Sequence, residues 1–282
     1  MDMFDIPEDS KIITTEELFD ESKSNPNNFS AWAPQLAGRF KSPESYKVPL
    51  TLEWFDWLLS DNYTDKKTTE FGRYLQTELK KVKPLIAAPL FLKTETFSNK
   101  FSFENCLVND CDLAICFALG KKALSIFYGG LCGDRLDCGF IFRKFIDFGN
   151  DLEKIYGGMP LHTEFRAFYD FDDKHLLGVR PYWDSKIMME SLLQGKQYGD
   201  TDYIAFEHAM PRLEKDYCAN KQRVADLIEE NLRTFEGRPS NEYSNAVWSL
   251  DFMLDTNDEL WFIDAANATQ SAFYDELSGE GK

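Results

Sequence analysis

Residues 247–267 read VWSLDFMLDTNDELWFIDAAN, two apolar runs of strand length separated by a polar turn, each carrying an acid. Side chains on a strand alternate between faces, so a hairpin sorts these residues by parity. With a two- or four-residue turn centred on Thr256 and Asn257, Asp251 stands opposite Phe262 and Asp264 opposite Ser249. Ser249, Asp251, Met253, Leu260, Phe262 and Asp264 then share one face. Trp248, Leu250, Phe252, Leu254, Trp261 and Ile263 form the other, wholly apolar and suited to a core. The carboxylates become diagonal neighbours, roughly 7–8 Å apart at the backbone. A three-residue turn would separate them onto opposite faces. Asn267 follows, and with no His or Cys nearby these oxygens are hard ligands, suited to magnesium held jointly with substrate phosphates. Taken alone, the pair reads more readily as a turn cap at Asp264 and a surface contact at Asp251.

Cations elsewhere give the acids a context. In PLFLKTETFSNKF, Lys93 ends an apolar strand and is followed by a Thr/Ser/Asn loop and Lys100. Amides and hydroxyls of such a loop can cover phosphates while a lysine supplies charge. TEFRAFYDF puts Glu164 and Arg166 on the face opposite Phe165, Ala167 and Tyr169, and a guanidinium fixed by a neighbouring acid is a fork for phosphate oxygens. FIFRKFID sets Arg143 and Lys144 inside an apolar strand. Together these parts describe a nucleoside triphosphate with magnesium between two sheets. The glycine fingerprints of Walker and Rossmann sites are absent.

The composition bounds what such a site can belong to. The 282 residues suit one bilobed domain, and 43% hydrophobic content is ample for a large core. A net charge of −17 disfavours phosphate backbones and anionic membranes as partners. The start, MDMFDIPEDSK, lacks the regions of a signal peptide, and PLIAAPLFL is too short to span a bilayer. The six cysteines form no CxxC and the three histidines are scattered, against zinc and for reduced thiols. A soluble, cytoplasmic protein is expected.

Residues 1–28 read as loosely ordered. TLEWFDWLLS (51–60) reads as a short helix. Phe71, Tyr74, Leu75, Leu79 and Val82 give a clearer one, stopped by Pro84, and Val224, Leu227, Ile228, Leu232 and Phe235 repeat its spacing before Gly237 and Pro239. Strands are predicted at 90–93, 138–146, 163–169, 175–183, 247–254 and 259–264, with turn signals favouring antiparallel hairpins. The class is α+β.

This order of parts resembles the ATP-grasp superfamily: the lysine strand with its covering loop (LFLKTETFSNKF), a hinge strand (FIFRKFID), the EFRAF strand, then DFMLD…LWFIDAAN. Within it, NFSAWAPQLAGRF…VPLTLEWFDWLLSDN, FRKF, EFRAFYDFDDKHLLGV and ELWFIDAAN are similar to segments of the cell-division-cycle ATP-grasp family, whose eukaryotic members help assemble translation initiation factor two. The likeness covers roughly residues 29 to 275. It implies two lobes built on antiparallel sheets with ATP between them: an N-terminal helical segment over 1–84, a small lobe over 85–143, and a large lobe with the metal-binding hairpin over 144–282. It also implies Lys93 and Arg166 on the phosphates, the backbone of Lys144, Phe145 and Ile146 at the adenine, and Asp251, Asp264 and Asn267 on Mg2+. Two alanines separate Asp264 from Asn267 where the family has one residue, and the loop TETFSNKFSF departs from the family's at Lys100.

Two functions share this nucleotide site. An assembly chaperone binds ATP and magnesium to stabilise a surface for a protein partner, with Trp32 and Phe40 beside FSAW as candidates for that surface or for the core. An ATP-dependent carboxylate–amine ligase phosphorylates a carboxylate to an acylphosphate, with Arg166 as the catalytic charge stabiliser and Arg180 as the candidate for holding the carboxylate.

Overall fold

The computed structural model describes residues 13–81, 88–146, 151–194, 200–241 and 244–274. In chain order these form α1 (Thr15–Ser24), α2 (Phe29–Leu36), β1 (Ser45–Pro49), α3 (Leu52–Leu59), α4 (Asp65–Lys81), β2 (Leu90–Thr94), α5 (Phe103–Cys106), β3 (Leu107–Val108), α6 (Asp110–Ala114) and α7 (Cys116–Leu131). There follow β4 (Gly139–Lys144), β5 (Lys154–Ile155), β6 (Met159–Pro160), β7 (Glu164–Asp170), β8 (His175–Pro181), α8 (Ser185–Gln194), α9 (Asp200–Leu232), β9 (Val247–Leu254) and β10 (Leu260–Asn267). Two four-stranded antiparallel sheets result, ordered β1-β4-β2-β3 and β10-β9-β7-β8. The class is α+β. Among the described residues, no helix is long and apolar enough to cross a membrane.

Helix α1 begins with a capping box in which Thr14 and Glu17 satisfy each other's backbone N–H groups, so part of the stretch expected to be loose is ordered. The stripe on α4 buries Phe71, Leu75 and Leu79, while Val82 and Pro84 lie outside the described residues. Its partner is α7, and the two helices touch at glycines: a Cβ on Gly72 would lie 1.7 Å from the carbonyl oxygen of Cys116.

Two hydrophobic cores form, each drawing on separated parts of the chain. One core gathers the small sheet with α3, α4 and α7, and it also takes Trp183, Phe206 and Leu213 from late in the chain. The other gathers the inner face of the second sheet with the end of α9, and with Trp32 and Phe40 from the N-terminal segment. That segment, expected as a helical one over 1–84, also supplies β1, which pairs with β4 along its whole length. Trp32 is 1% exposed, its ring edge-on to Phe262 at 5.6 Å, and Phe40 packs on Phe252 and Phe262. Neither ring offers a surface to a partner: FSAW anchors the N-terminal segment to β10.

Candidate functional site

The acidic hairpin differs from its expected register and still brings the acids together. Leu260 pairs with Leu254 and Phe262 with Phe252, so the loop spans 255–259. Asp255 sustains that longer loop by accepting from the backbone of Asn257 (2.8 Å) and Glu259 (2.9 Å) and from the Trp261 indole (2.9 Å). Leu260 and Phe262 therefore belong to the apolar face with Phe252, contrary to the face assigned from a shorter turn. Continued unchanged, this register would part the carboxylates. A β-bulge at Ile263 intervenes, and Asp264 pairs directly with Asp251 rather than diagonally.

The neighbouring strands extend this pair into a row. Asp251 pairs with Arg166 on β7, and Arg166 with Arg180 on β8. One line across the sheet thus reads Arg180, Arg166, Asp251, Asp264. Arg166 grips Asp251 with two parallel hydrogen bonds, Nε to Oδ1 at 2.8 Å and Nη2 to Oδ2 at 2.7 Å. From the opposite sheet, Lys93 reaches Asp264 at 2.7 Å. Arg143 pairs with Phe91, two residues before Lys93, so both cations project from one face of the small sheet. Arg143 donates to the Ile263 carbonyl and to Ser45 Oγ (3.2 Å). Burial raises the Asp264 carboxyl, but Lys93 and Arg143 outweigh it and hold the group below the usual range.

Between the sheets opens a cavity of about 260 Å³, lined by all of these groups except Arg180. Lys100 spans it to Glu164 at 3.3 Å and lies 4.0 Å over the Tyr182 ring, with Arg166 over the same ring at 4.6 Å. Burial lifts the Glu164 carboxyl above its ordinary value, against the pull of Lys100. At the other end Phe91, Phe103, Phe145 and Met159 make an apolar slot beside Lys144 and Ile146. The backbone N–H groups of Lys144 and Phe145 already donate to Glu44 (2.8 Å) and Pro89 (3.1 Å).

Asn267 is not brought to the acids. Alternation beyond the bulge turns it to the face opposite Asp264. There its Oδ1 accepts from Asn245 Nδ2 (2.8 Å), Thr269 N (3.2 Å) and Thr269 Oγ1 (2.9 Å), and it caps the turn that follows. On the cleft side the positions are Ala266 and Ser249.

Other contributors carry no sequence signature. Asp137 holds the loop after Lys93 by accepting from the Thr94 hydroxyl and from Thr96 N (3.0 Å) and Oγ1 (3.1 Å). Glu95, 1% exposed, accepts from Ser30 N (2.9 Å) and pairs with Lys47, tying FSAW to the same loop. His162 lines the cleft. Burial, with Arg212 and Lys100 nearby, pushes its pKa down to about 3. An unfolded histidine titrates near 6.5, so below that pH the unfolded chain takes up a proton that the folded one refuses until about pH 3. Stability should therefore fall with acidification through this window, by up to about 1.4 kcal/mol per pH unit from this group. Urea midpoints for the wild type and His162→Gln check it: the variant should show the shallower decline, and equal slopes would contradict the assignment.

Among the described residues no three His, Cys, Asp or Glu side chains cluster as a metal cage. The donor set instead fits Mg2+, which is commonly held by one or two carboxylates together with phosphate oxygens. Asp251 and Asp264 could supply such carboxylates, and Lys93, Lys100 and Arg166 line the same cavity.

No family model and no curated protein matches the chain. Solved ligases resemble it in part. The N5-carboxyaminoimidazole synthase of Aspergillus clavatus, in complex with ADP and an aminoimidazole ribonucleotide, is 12% identical with a TM-score of 0.38, over 91% of this chain and 51% of that one. The VanG D-Ala:D-Ser ligase of Enterococcus faecalis is 10% identical with a TM-score of 0.39, over 94% and 59%. A RiPP-associated ATP-grasp ligase of Chryseobacterium gregarium is 13% identical with a TM-score of 0.34, over 94% and 62%. The chain thus spans about half the length of the first of these.

Proposed function

We propose that the cleft binds ATP together with Mg2+ and that the chain is an ATP-grasp protein. The observation that carries this reading is the pair of ion pairs, Lys93–Asp264 from sheet to sheet and Arg166–Asp251 along the row. A magnesium nucleotide supplies negative charge for the cations and positive charge for the acids, so each group exchanges one partner for another and none is left buried alone. Arg166 presents its planar fork to phosphate oxygens as it does to Asp251. Lys93 acts as a point charge, and Glu164 holds Lys100 in place. Arg143, through the Ile263 carbonyl, fixes the bulge that delivers Asp264. The apolar slot around Phe103 and Phe145 takes the base.

Titration of ATP into the wild type and Asp251→Asn, with magnesium and with chelator, tests this. The wild type should bind more tightly with magnesium. In Asp251→Asn the gain from magnesium should shrink by about tenfold or more, the size of one charge-assisted contact, while chelated ATP binds at least as well because Arg166 is released. The same magnesium gain in both proteins would sink the metal assignment, and no binding to the wild type would sink the site.

For the use of the nucleotide, the likeness around FSAW and EFRAF supports an assembly chaperone that presents a surface to a protein partner while ATP holds the two sheets together. A second reading, an ATP-dependent ligase, has one observation in its favour. A further cavity of about 220 Å³ abuts the cleft at Glu164, walled by Trp183 and Tyr217, where an acceptor could approach. Arg180 lines neither cavity, which leaves its expected role in holding a carboxylate without support. Steady ADP release stimulated by added carboxylic acid and amine would favour the ligase. Stoichiometric ATP binding without such turnover would favour the chaperone.

A further inference from the structure

Tyr182 lies just beyond β8, where its backbone N–H donates to the Glu164 carbonyl at 3.0 Å and continues the pairing of β8 with β7. Glu164 and Tyr182 therefore form the next row on the face that carries Arg166, and both line the cleft. Two cations meet over this one ring. Lys100, from the loop after β2, lies 4.0 Å from its centroid, and Arg166 of β7 lies 4.6 Å from it. Trp183, edge-on to Tyr182 at 4.9 Å, backs the Lys100 ammonium at 5.4 Å. Each cation also has an acid: Glu164 for Lys100 at 3.3 Å, and Asp251, through two hydrogen bonds, for Arg166. All four charged side chains are largely buried.

Two cations on one ring repel each other, and in a mostly buried site salt screens that repulsion poorly. The negative face of the ring, together with the two acids, holds them there. A ligand with one phosphate can answer one of these cations, whereas a chain of phosphates can answer both without moving either. The ring face repels an anion, so whatever Tyr182 contributes to phosphate binding passes through Lys100 and Arg166. We propose that Tyr182 is a positioning residue that makes the cleft select a polyphosphate over a monophosphate, by keeping Lys100 and Arg166 together. This rests on reading the cleft as a nucleotide site. It adds which length of phosphate chain the site takes and which uncharged side chain sets that choice.

The ratio of ATP to AMP affinity, from calorimetric titrations of the full chain in magnesium, is the readout. Both nucleotides carry the same base, so a change in the ratio reports the phosphate end and not the packing of the slot. Tyr182→Phe keeps the ring and should hold the ratio within about twofold, while Tyr182→Leu should lower it by about fivefold or more, the equivalent of one cation–π contact of about 1 kcal/mol. Phenylalanine bearing one, two or three ring fluorines at position 182 keeps the size and serves where Tyr182→Leu does not fold. The ratio should fall stepwise as fluorine withdraws charge from the ring face. In a Lys100→Met background the effect of Tyr182→Leu should shrink, because one of the cations through which the ring acts is gone. Equal losses for ATP and AMP in Tyr182→Leu, or a ratio indifferent to fluorination, would mean that the ring only fills space and would overturn the proposal. So would a wild type that binds ATP no better than AMP. A wild type that binds neither nucleotide is a different failure, that of the nucleotide reading itself, and takes this proposal with it.

Discussion

Arg166→Met is expected to lower the melting temperature by roughly 6–20 °C, the equivalent of about 3–5 kcal/mol, and to abolish nucleotide binding. The stability loss comes from what remains. Arg166 and Asp251 are 13% and 10% exposed in their side chains, and removing the guanidinium leaves a buried carboxylate next to a second one, Asp264, in the same row. The double variant Arg166→Met with Asp251→Leu removes both charges and should recover most of the lost stability, since an apolar pair of similar volume often substitutes without loss. It should not recover binding. Thermal melts of the two variants against the wild type, with ATP titrations on each, separate the contributions. A single variant as stable as the wild type would mean that water reaches Asp251 freely and that the row is not a dry site.

Gly72→Ala should cost about 3 kcal/mol or more, at the upper end of what overpacking does. Two effects oppose each other here. Alanine favours an exposed helix interior by about 1 kcal/mol over glycine. Against that, the new Cβ would lie 1.7 Å from the carbonyl oxygen of Cys116 and 2.9 Å from the amide of Gly120, and both obstacles are backbone, which no rotamer change relieves. The helices α4 and α7 must move apart, and the core they share with the small sheet moves with them. Gly120→Ala should behave alike, its Cβ falling 2.2 Å from the Thr68 carbonyl. Gly38→Ala meets nothing within 4 Å and should be neutral or slightly stabilising. Denaturant midpoints for the three variants give the comparison, and a Gly72→Ala midpoint at or above that of Gly38→Ala would contradict the close contact.

Much of the candidate site was legible in the sequence because a charge in an otherwise apolar strand stands out. Lys93, Arg143, Glu164, Arg166, Asp251 and Asp264 all announce themselves this way, and the structure brings all six to one cleft. The bulge was not legible, since Leu260, Trp261, Phe262 and Ile263 are apolar in unbroken succession and leave alternation nothing to mark. Asn267 was misplaced for a different reason: the two alanines after Asp264 put it on the opposite face. Helix α7 hides behind Gly120, Gly129 and Gly130, which count against a helix by propensity, while Gly120 serves the contact with α4. The start of α9 hides behind Pro211 and a mixed polarity, so that only its last stripe was visible. Strand β1, SYKVP, is too short and polar to declare itself and takes its identity from β4. His162 and Asp137 belong to no motif, and only the three-dimensional neighbourhood gives them a role.

The bulge at Ile263 also decides which insertions and deletions the hairpin can tolerate. With Leu260 against Leu254, an unbroken ladder would set Asp264 against Leu250, whose side chain is fully buried in the apolar core. Straightening the bulge with every residue retained would therefore carry the acid from the cleft into the core, whereas losing Ile263 would leave it opposite Asp251 in a regular ladder. The same fault follows from one residue gained or lost in the loop 255–259, unless the strand changes length with it. Two compensating changes leave the acid where it is. The lengths of this loop and of the strand after it are thus not independent, and a chain that shortens one while keeping its two facing carboxylates must also give up the bulge in the other.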